Sequence, residues 1–415
     1  MNPWWKKIGP GVVTGAADDD PSGIGTYSIV GAQYGYLLLW LVPFCIPLMI
    51  AVQEMCGRVG SVSRQGLAGV MRRHYSGWLL WPVVVLLSLA NVINIWADFN
   101  IMAASLQMLV GGSVTLWLTV VCAATIALQI LVPYRYYVRF LKWLCLALLT
   151  YVVTALLPSV HTDWPQVLAH LFRPGWAPTT DCMMIVVGFL GTTISPYLFF
   201  WQTSQTVEEK VEAGTAGPGA RRGNVANEIR TMRNDTVVGM FASQAVAFFI
   251  VICAAATMRG THIESAQQAA QVLQPIGKIA YWLFTTGILG SGLLAIPTLA
   301  GSVAYALAEA AGWREGLYRR FGRARQFYLA LAFATIIGYL LNFVGHVKAV
   351  DALLYSAVLN GIAAPPLIVT LLLICNNKAI MGQRTNGWVS NLVGGLAAIL
   401  MAVGAAVYLW GSLAG

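Results

Sequence analysis

The chain of 415 residues is 58% hydrophobic and 10% charged, with a formal net charge of +9 and a mean hydropathy of +0.69. That balance excludes an ordinary soluble domain, in which about a quarter of residues carry charge, and the basic excess calls for no nucleic-acid partner because it falls in loops between apolar segments. Runs long enough to cross a hydrocarbon core of roughly 30 Å, about 20 residues each, recur almost end to end, so the chain reads as an all-α polytopic membrane protein with one transmembrane domain over 1–415.

Eleven spans are predicted: 8–34, 37–57, 78–110, 113–133, 138–158, 182–207, 234–258, 277–311, 326–345, 349–375 and 389–413. The opening MNPWWKKIGPGVV lacks the apolar core and cleavage site of a secretory signal and reads as the cytosolic lead into the first span.

The first span holds GAADDDPSGIG, residues 15–25, with Asp18, Asp19 and Asp20 at bilayer depth. A carboxylate there costs at least ~2.5–3.5 kcal/mol and is a functional candidate by default. Pro21 turns Asp20 away from helical geometry and Gly23 accepts nearly any backbone angle. The expectation is a half-helix ending near Ala17, an unwound turn from Asp18 to Ser22, and a second half-helix from Gly23. Irregular backbone at that depth survives only where protein buries it or water reaches it.

The second span carries Glu54 four residues before Arg58, an ordinary helical ion pair. Asn91, Asn94 and Asn100 in the third read as hydrogen bonders between helices. The sixth span, GFLGTTISPYLFFWQTSQ at 188–205, is interrupted by Gly191, Thr192, Thr193, Ser195 and Pro196, which leaves carbonyls free at Thr192 and Thr193. Gln202 lies on its second half, facing the same pathway. The stretch 208–235 reads as a flexible cytosolic connection, and its glycines match no phosphate-binding loop. In the tenth span Asn360 precedes Gly361 and a break at Pro365–Pro366, which makes it a candidate to line a cavity.

Spans one and six open two five-span halves, about 8–158 and 182–375, with the eleventh span, 389–413, outside the repeat. Interrupted helices at corresponding positions point to a transporter site at an inverted-repeat interface. Alternation of the loops sets the orientation: 21 of the 25 Lys and Arg residues fall on the side of the N-terminus, against Arg173, Arg259, Lys278 and Lys348 on the other. This bias predicts a cytoplasmic N-terminus, an outside C-terminus and a prokaryotic inner membrane.

Seven cysteines are scattered singly through apolar runs and read as small buried hydrophobes. The five histidines sit in loops or at span ends, which disfavours haem, and no cofactor is expected. Nor does any nucleophile–base arrangement mark the chain as an enzyme.

The GPG at 9–11, DPSG at 20–23 and GTTISPY at 191–197 give the chain a pattern that resembles the Nramp family of divalent-metal transporters, closest to its magnesium-transporting branch. The resemblance implies a LeuT-like fold of inverted repeats. In that family an Asp, an Asn, a Met sulfur and two backbone carbonyls hold the ion. Position by position, Asp20 matches the Asp, while Ala17 and Thr192 match the carbonyls. Gly23 stands where the Asn belongs and Ser195 where the Met belongs.

The implied site is therefore all oxygen, which suits Mg²⁺ or Mn²⁺ over softer metals. Loss of the Asn side chain further implies a roomier site for a partly hydrated ion. Asp18 and Asp19 match no ligand of the family and are candidates for drawing cations inward. Of the family's proton-relay groups, Asp98 is retained, but Tyr197 replaces a His and Ile101 a Glu. Transport of a divalent cation by alternating access without proton coupling is the expected function, from a monomer whose partners are the ion and the lipid bilayer. A proton-coupled Mn²⁺/Fe²⁺ symporter is the alternative. An amino-acid carrier on the same fold would see its substrate carboxylate repelled by three aspartates.

Overall fold

A computed structural model describes residues 10–132, 146–212, 214, 225–277, 279–344 and 347–414. Part of the fifth predicted span, 138–145, and the middle of the 208–235 connection lie outside these residues. In chain order the α-helices are α1 (Pro10–Asp18), α2 (Pro21–Tyr34), α3 (Leu41–Ser63), α4 (Leu67–His74), α5 (Gly77–Val110), α6 (Val114–Leu131), α7 (Leu149–Leu156), α8 (Trp164–Phe172) and α9 (Thr180–Thr193). There follow α10 (Pro196–Glu212), α11 (Val225–Thr257), α12 (Ala266–Gln271), α13 (Ala280–Ala311), α14 (Arg325–Leu341), α15 (Ala349–Asn376), α16 (Lys378–Met381) and α17 (Trp388–Ala414).

Among the described residues, eight stretches are long and apolar enough to cross a membrane, one of them the α9–α10 pair. The first predicted span is instead the pair α1 and α2, each too short to cross alone, and the segments 146–156 and α14 are shorter apolar helices. Side chains such as Trp78, Leu89, Phe333 and Leu396 stand exposed on helix faces, as expected where lipid rather than water is the solvent.

Both predicted breaks are present, and both are shorter than expected. Helix α1 persists through Asp18 and α2 starts at Pro21, leaving only Asp19 and Asp20 between them. Proline at the first helical position sacrifices no intrahelical bond and arrives with its φ already set, which is why α2 begins at Pro21 rather than Gly23. Likewise Ile194 and Ser195 separate α9 from α10, whose first residue is Pro196. The break expected at Pro365–Pro366 is absent, since both prolines lie inside the continuous α15. Neighbouring helices and local adjustment can accommodate the backbone groups that proline frees inside such a bundle.

Close approach of backbones locks the two broken helices into the bundle. A Cβ on Gly11 would lie 2.5 Å from Thr236 N, and one on Gly15 2.3 Å from Gly239 O, so α1 rests directly on the backbone of α11. Helix α9 meets α15 in the same way, with a Cβ on Gly191 falling 2.1 Å from Ala357 O. Small residues on such faces replace the hydrophobic drive that lipid cannot supply. Helix α5 runs past both breaks, packed on α13, α14 and α15.

Basic residues from several helices gather around Glu54 and Glu228. Glu54 pairs with Arg58 at 3.3 Å as predicted, and also with Arg233 of α11 at 2.9 Å. Arg58 donates to the carbonyls of Arg384 and Thr385. Glu228 holds Arg64 at 2.9 Å and Lys210 at 2.6 Å. These pairs draw α11 out to Val225, so the 208–235 connection is helical at both its ends.

Candidate ion site

Asp20 occupies the N-cap of α2 in an extended conformation (φ −69°, ψ 168°). Its Oδ1 accepts from the backbone N–H of Gly23 and the hydroxyl of Ser22, both at 2.7 Å, and its Oδ2 from Asn94 Nδ2 of α5 at 2.9 Å. The carboxylate is 1% exposed. Three donors and the positive end of α2 offset the burial of its charge. The local turn follows from Asp-Pro: an Asp side chain caps the helix that proline begins.

The other two carboxylates turn elsewhere. Ser243 of α11 sends its hydroxyl to Asp18 Oδ2 at 2.8 Å and to Asp19 Oδ1 at 3.1 Å, so both are held against α11 rather than beside Asp20's donors. Tyr27, fully buried with its hydroxyl unpartnered, lies within electrostatic reach of all three aspartates.

The two carbonyls of the expected ligand set both have hydroxyl partners. Ala17 O accepts from Tyr197 OH at 2.8 Å, a bond that joins the two breaks directly. Thr192 O accepts from Ser195 Oγ at 2.7 Å, and Gly191 O from the same hydroxyl at 3.1 Å. The expectation of free carbonyls at this break is therefore corrected at Thr192, because the hydroxyl of Ser195 folds back onto the turn that precedes it. A carbonyl oxygen has two lone pairs, so each of these retains capacity for a cation.

Gly23 does not open the room expected of it. A Cβ there would lie 3.1 Å from Thr192 Oγ1 and 3.4 Å from Asp18 O, so the Thr192 side chain fills the space next to it. Asp98, one turn beyond Asn94 on α5, is fully buried near Asp20 and the Ser22 backbone, with neither oxygen in a hydrogen bond of good geometry. Asn360 is buried with its amide unpartnered, on α15 next to the Gly361 that packs against α9. Gln202 accepts from Thr14 Oγ1 at 2.5 Å, tying α10 to α1.

Two residues at this site escaped sequence reasoning in their present roles. Asn94 was expected only to link helices, as Asn91 does by donating to Leu299 O at 3.0 Å, and Ser243 carried no signal in its apolar surroundings. Among the described residues no three His, Cys, Asp or Glu side chains converge on a common metal position. The polar groups gathered here are two nearby carboxylates, amides, hydroxyls and carbonyls, an oxygen-rich set able to bind a hard cation.

The chain matches the natural resistance-associated macrophage protein-like (Nramp) family over residues 11–411. It is 26% identical over 420 residues to the divalent metal cation transporter MntH 1 of Pseudomonas aeruginosa, covering 97% of this chain and 91% of that protein. To the divalent metal cation transporter MntH of Deinococcus radiodurans it is 25% identical over 428 residues, covering 98% and 90%. The structure resembles that of the Eremococcus coleocola manganese transporter, with a TM-score of 0.77 at 20% identity over 98% of this chain and 87% of that one. It also resembles inward-facing Mhp1, with a TM-score of 0.55 at 14% identity over 98% and 91%. These likenesses establish a shared fold. With a family match that runs nearly the length of the sequence, the chain belongs to the Nramp family.

Proposed function

We propose that this protein moves divalent cations across a membrane by alternating access around the α1–α2 and α9–α10 breaks, with Mg²⁺ as cargo, Mn²⁺ also accepted, and no stoichiometric proton coupling. The observation that carries the reading is Asp20: a carboxylate buried at a helix break, held by three donors, near a second break that offers the Thr192 carbonyl and the Ser195 hydroxyl. The ion would be held by Asp20 with the carbonyls of Ala17 and Thr192, the Ser195 hydroxyl beside them and Gly23 keeping the ligand count low. Ser195 stands where the family carries a methionine, and oxygen ligands suit Mg²⁺ and Mn²⁺. Inward movement of a dication down the membrane potential gains about 2.3 kcal/mol per charge per 100 mV and needs no further coupling.

A second reading is a proton-coupled Mn²⁺/Fe²⁺ symporter: the Eremococcus coleocola protein of similar fold is a manganese transporter, and the retained Asp98 is the residue that supports proton coupling. Uptake into proteoliposomes carrying a magnesium-sensitive dye and an internal pH dye separates the two. Saturable Mg²⁺ entry without acidification, abolished by Asp20→Ala in protein that still purifies as a single species, is the expected result. Mn²⁺ entry accompanied by protons, with no Mg²⁺ entry, would replace this reading with the second.

A further inference from the structure

Gly23 brings no side chain to the Asp20 turn, and Thr192 fills the space beside it. An amide nonetheless reaches the same carboxylate from a different helix. Asn94 of α5 is 0% exposed and donates Nδ2 to Asp20 Oδ2, while its own Oδ1 has no hydrogen-bond partner. An ionised carboxylate only accepts, so the nitrogen must be the amide atom facing it. The oxygen is then turned away from Asp20's donors.

Asp98 stands four residues on, on the same face of α5, buried beside the Ser22 backbone with neither oxygen in a hydrogen bond of good geometry. A buried acceptor left unmade costs about 1–3 kcal/mol, more when charged. These under-satisfied acceptors on one helix face, next to a buried carboxylate, form an environment that a cation would complete.

We propose that Asn94 Oδ1 is a direct ligand of the transported divalent cation, supplying from α5 an amide oxygen that Gly23 cannot provide, with Asp98 on its outer side. This rests on the divalent-cation reading above and names a ligand that reading does not contain. It adds a ligand from α5 to those of the two breaks, whose carbonyls keep a second lone pair beside their hydroxyl partners.

The test is Asn94→Cys, which puts a soft thiol at the ligand position. Competition of Mg²⁺, Mn²⁺ and Cd²⁺ is read in proteoliposomes for wild type, Asn94→Cys and the control Asn91→Cys. If the side chain touches the ion, preference for Cd²⁺ over Mg²⁺ rises about tenfold or more in Asn94→Cys alone, because thiolate selects soft metals. A residue that only positions Asp20 would lower transport of all three ions by one factor, and an unchanged ratio overturns the inference while leaving the divalent reading intact. A wild-type protein that moves no divalent cation overturns both. Should Asn94→Cys not fold, the isosteric Asn94→Asp keeps a ligand oxygen: Mg²⁺ affinity held or raised supports direct ligation, and affinity lost for every ion refutes it.

Discussion

Restoring the amide that the family carries at position 23 should damage this protein unless Thr192 gives way. In Gly23→Asn the new Cβ would lie 3.1 Å from Thr192 Oγ1 and 3.4 Å from both Asp18 O and Tyr27 Cε2, before the rest of the amide is placed. Overpacking of this kind costs ~1–3 kcal/mol. The backbone bond from Gly23 N to Asp20 Oδ1 is kept, so the loss comes from crowding alone. Thr192 Oγ1 has no hydrogen-bond partner, so Thr192→Ala sacrifices no bond while vacating the space. The double variant Gly23→Asn/Thr192→Ala should therefore recover most of the stability lost by the single one, a coupling of ~1–2 kcal/mol between contacting residues. Unfolding in detergent, followed by tryptophan fluorescence for wild type, both single variants and the double, measures it. A Gly23→Asn protein as stable as wild type, or a double variant no better than the single, would show that Thr192 does not decide what fits at position 23.

Gly191→Ala places a methyl group 2.1 Å from the Ala357 carbonyl, a backbone atom that cannot step aside, so the α9–α15 contact should open and stability fall by about 3 kcal/mol or more; normal yield and melting would contradict that packing. Ser243→Ala removes the one hydroxyl shared by Asp18 and Asp19, and with bonds to charged groups contributing about 1.5–3 kcal/mol initial uptake should drop roughly tenfold or more in protein that still folds, whereas unaltered flux would make the clamp irrelevant to transport. Glu315, in the loop after α13, has Oε2 unpartnered, and burial, reinforced by the carboxylates of Glu309 and Glu208, pushes its pKa up to about 10. The folded protein then keeps a proton that the unfolded chain releases above about pH 4.3, so this group's contribution is complete below that pH and is lost as pH rises toward 10. Glu315→Gln should flatten the decline between pH 5 and 9, measured as melting temperature against pH in about 0.15 M salt; an unchanged slope would place the titration elsewhere.

Both helix breaks were legible in the sequence because proline and glycine act locally. Pro21 and Pro196 sit where they can only begin a helix, and three aspartates in an apolar run mark the first break as a site before any partner is known. The gathering of basic residues outside the apolar runs was legible for a similar reason, since a Lys or Arg is costly at bilayer depth. The same local rule failed at Pro365–Pro366, where α15 continues through both prolines because the surrounding bundle, and not the residue pair, decides whether a helix yields. It failed again at Gly23, where the apparent gain in volume is taken up by Thr192 from the other break.

What the sequence by itself determined is the class of molecule, the positions of the two interruptions and the acidic character of the first. Only the tertiary structure decided how those carboxylates are shared out. Asn94 reaches Asp20 across 74 residues, Ser243 reaches Asp18 across 225, and Tyr197 reaches the Ala17 carbonyl across 180. A hydrogen bond depends on distance in space and on which lone pair is free, and neither has a signature in residue type or spacing once the partners lie on separate helices. The sequence could therefore mark where charge enters the membrane, while the packing of α5, α10 and α11 against the two breaks decided which oxygens are engaged in hydrogen bonds.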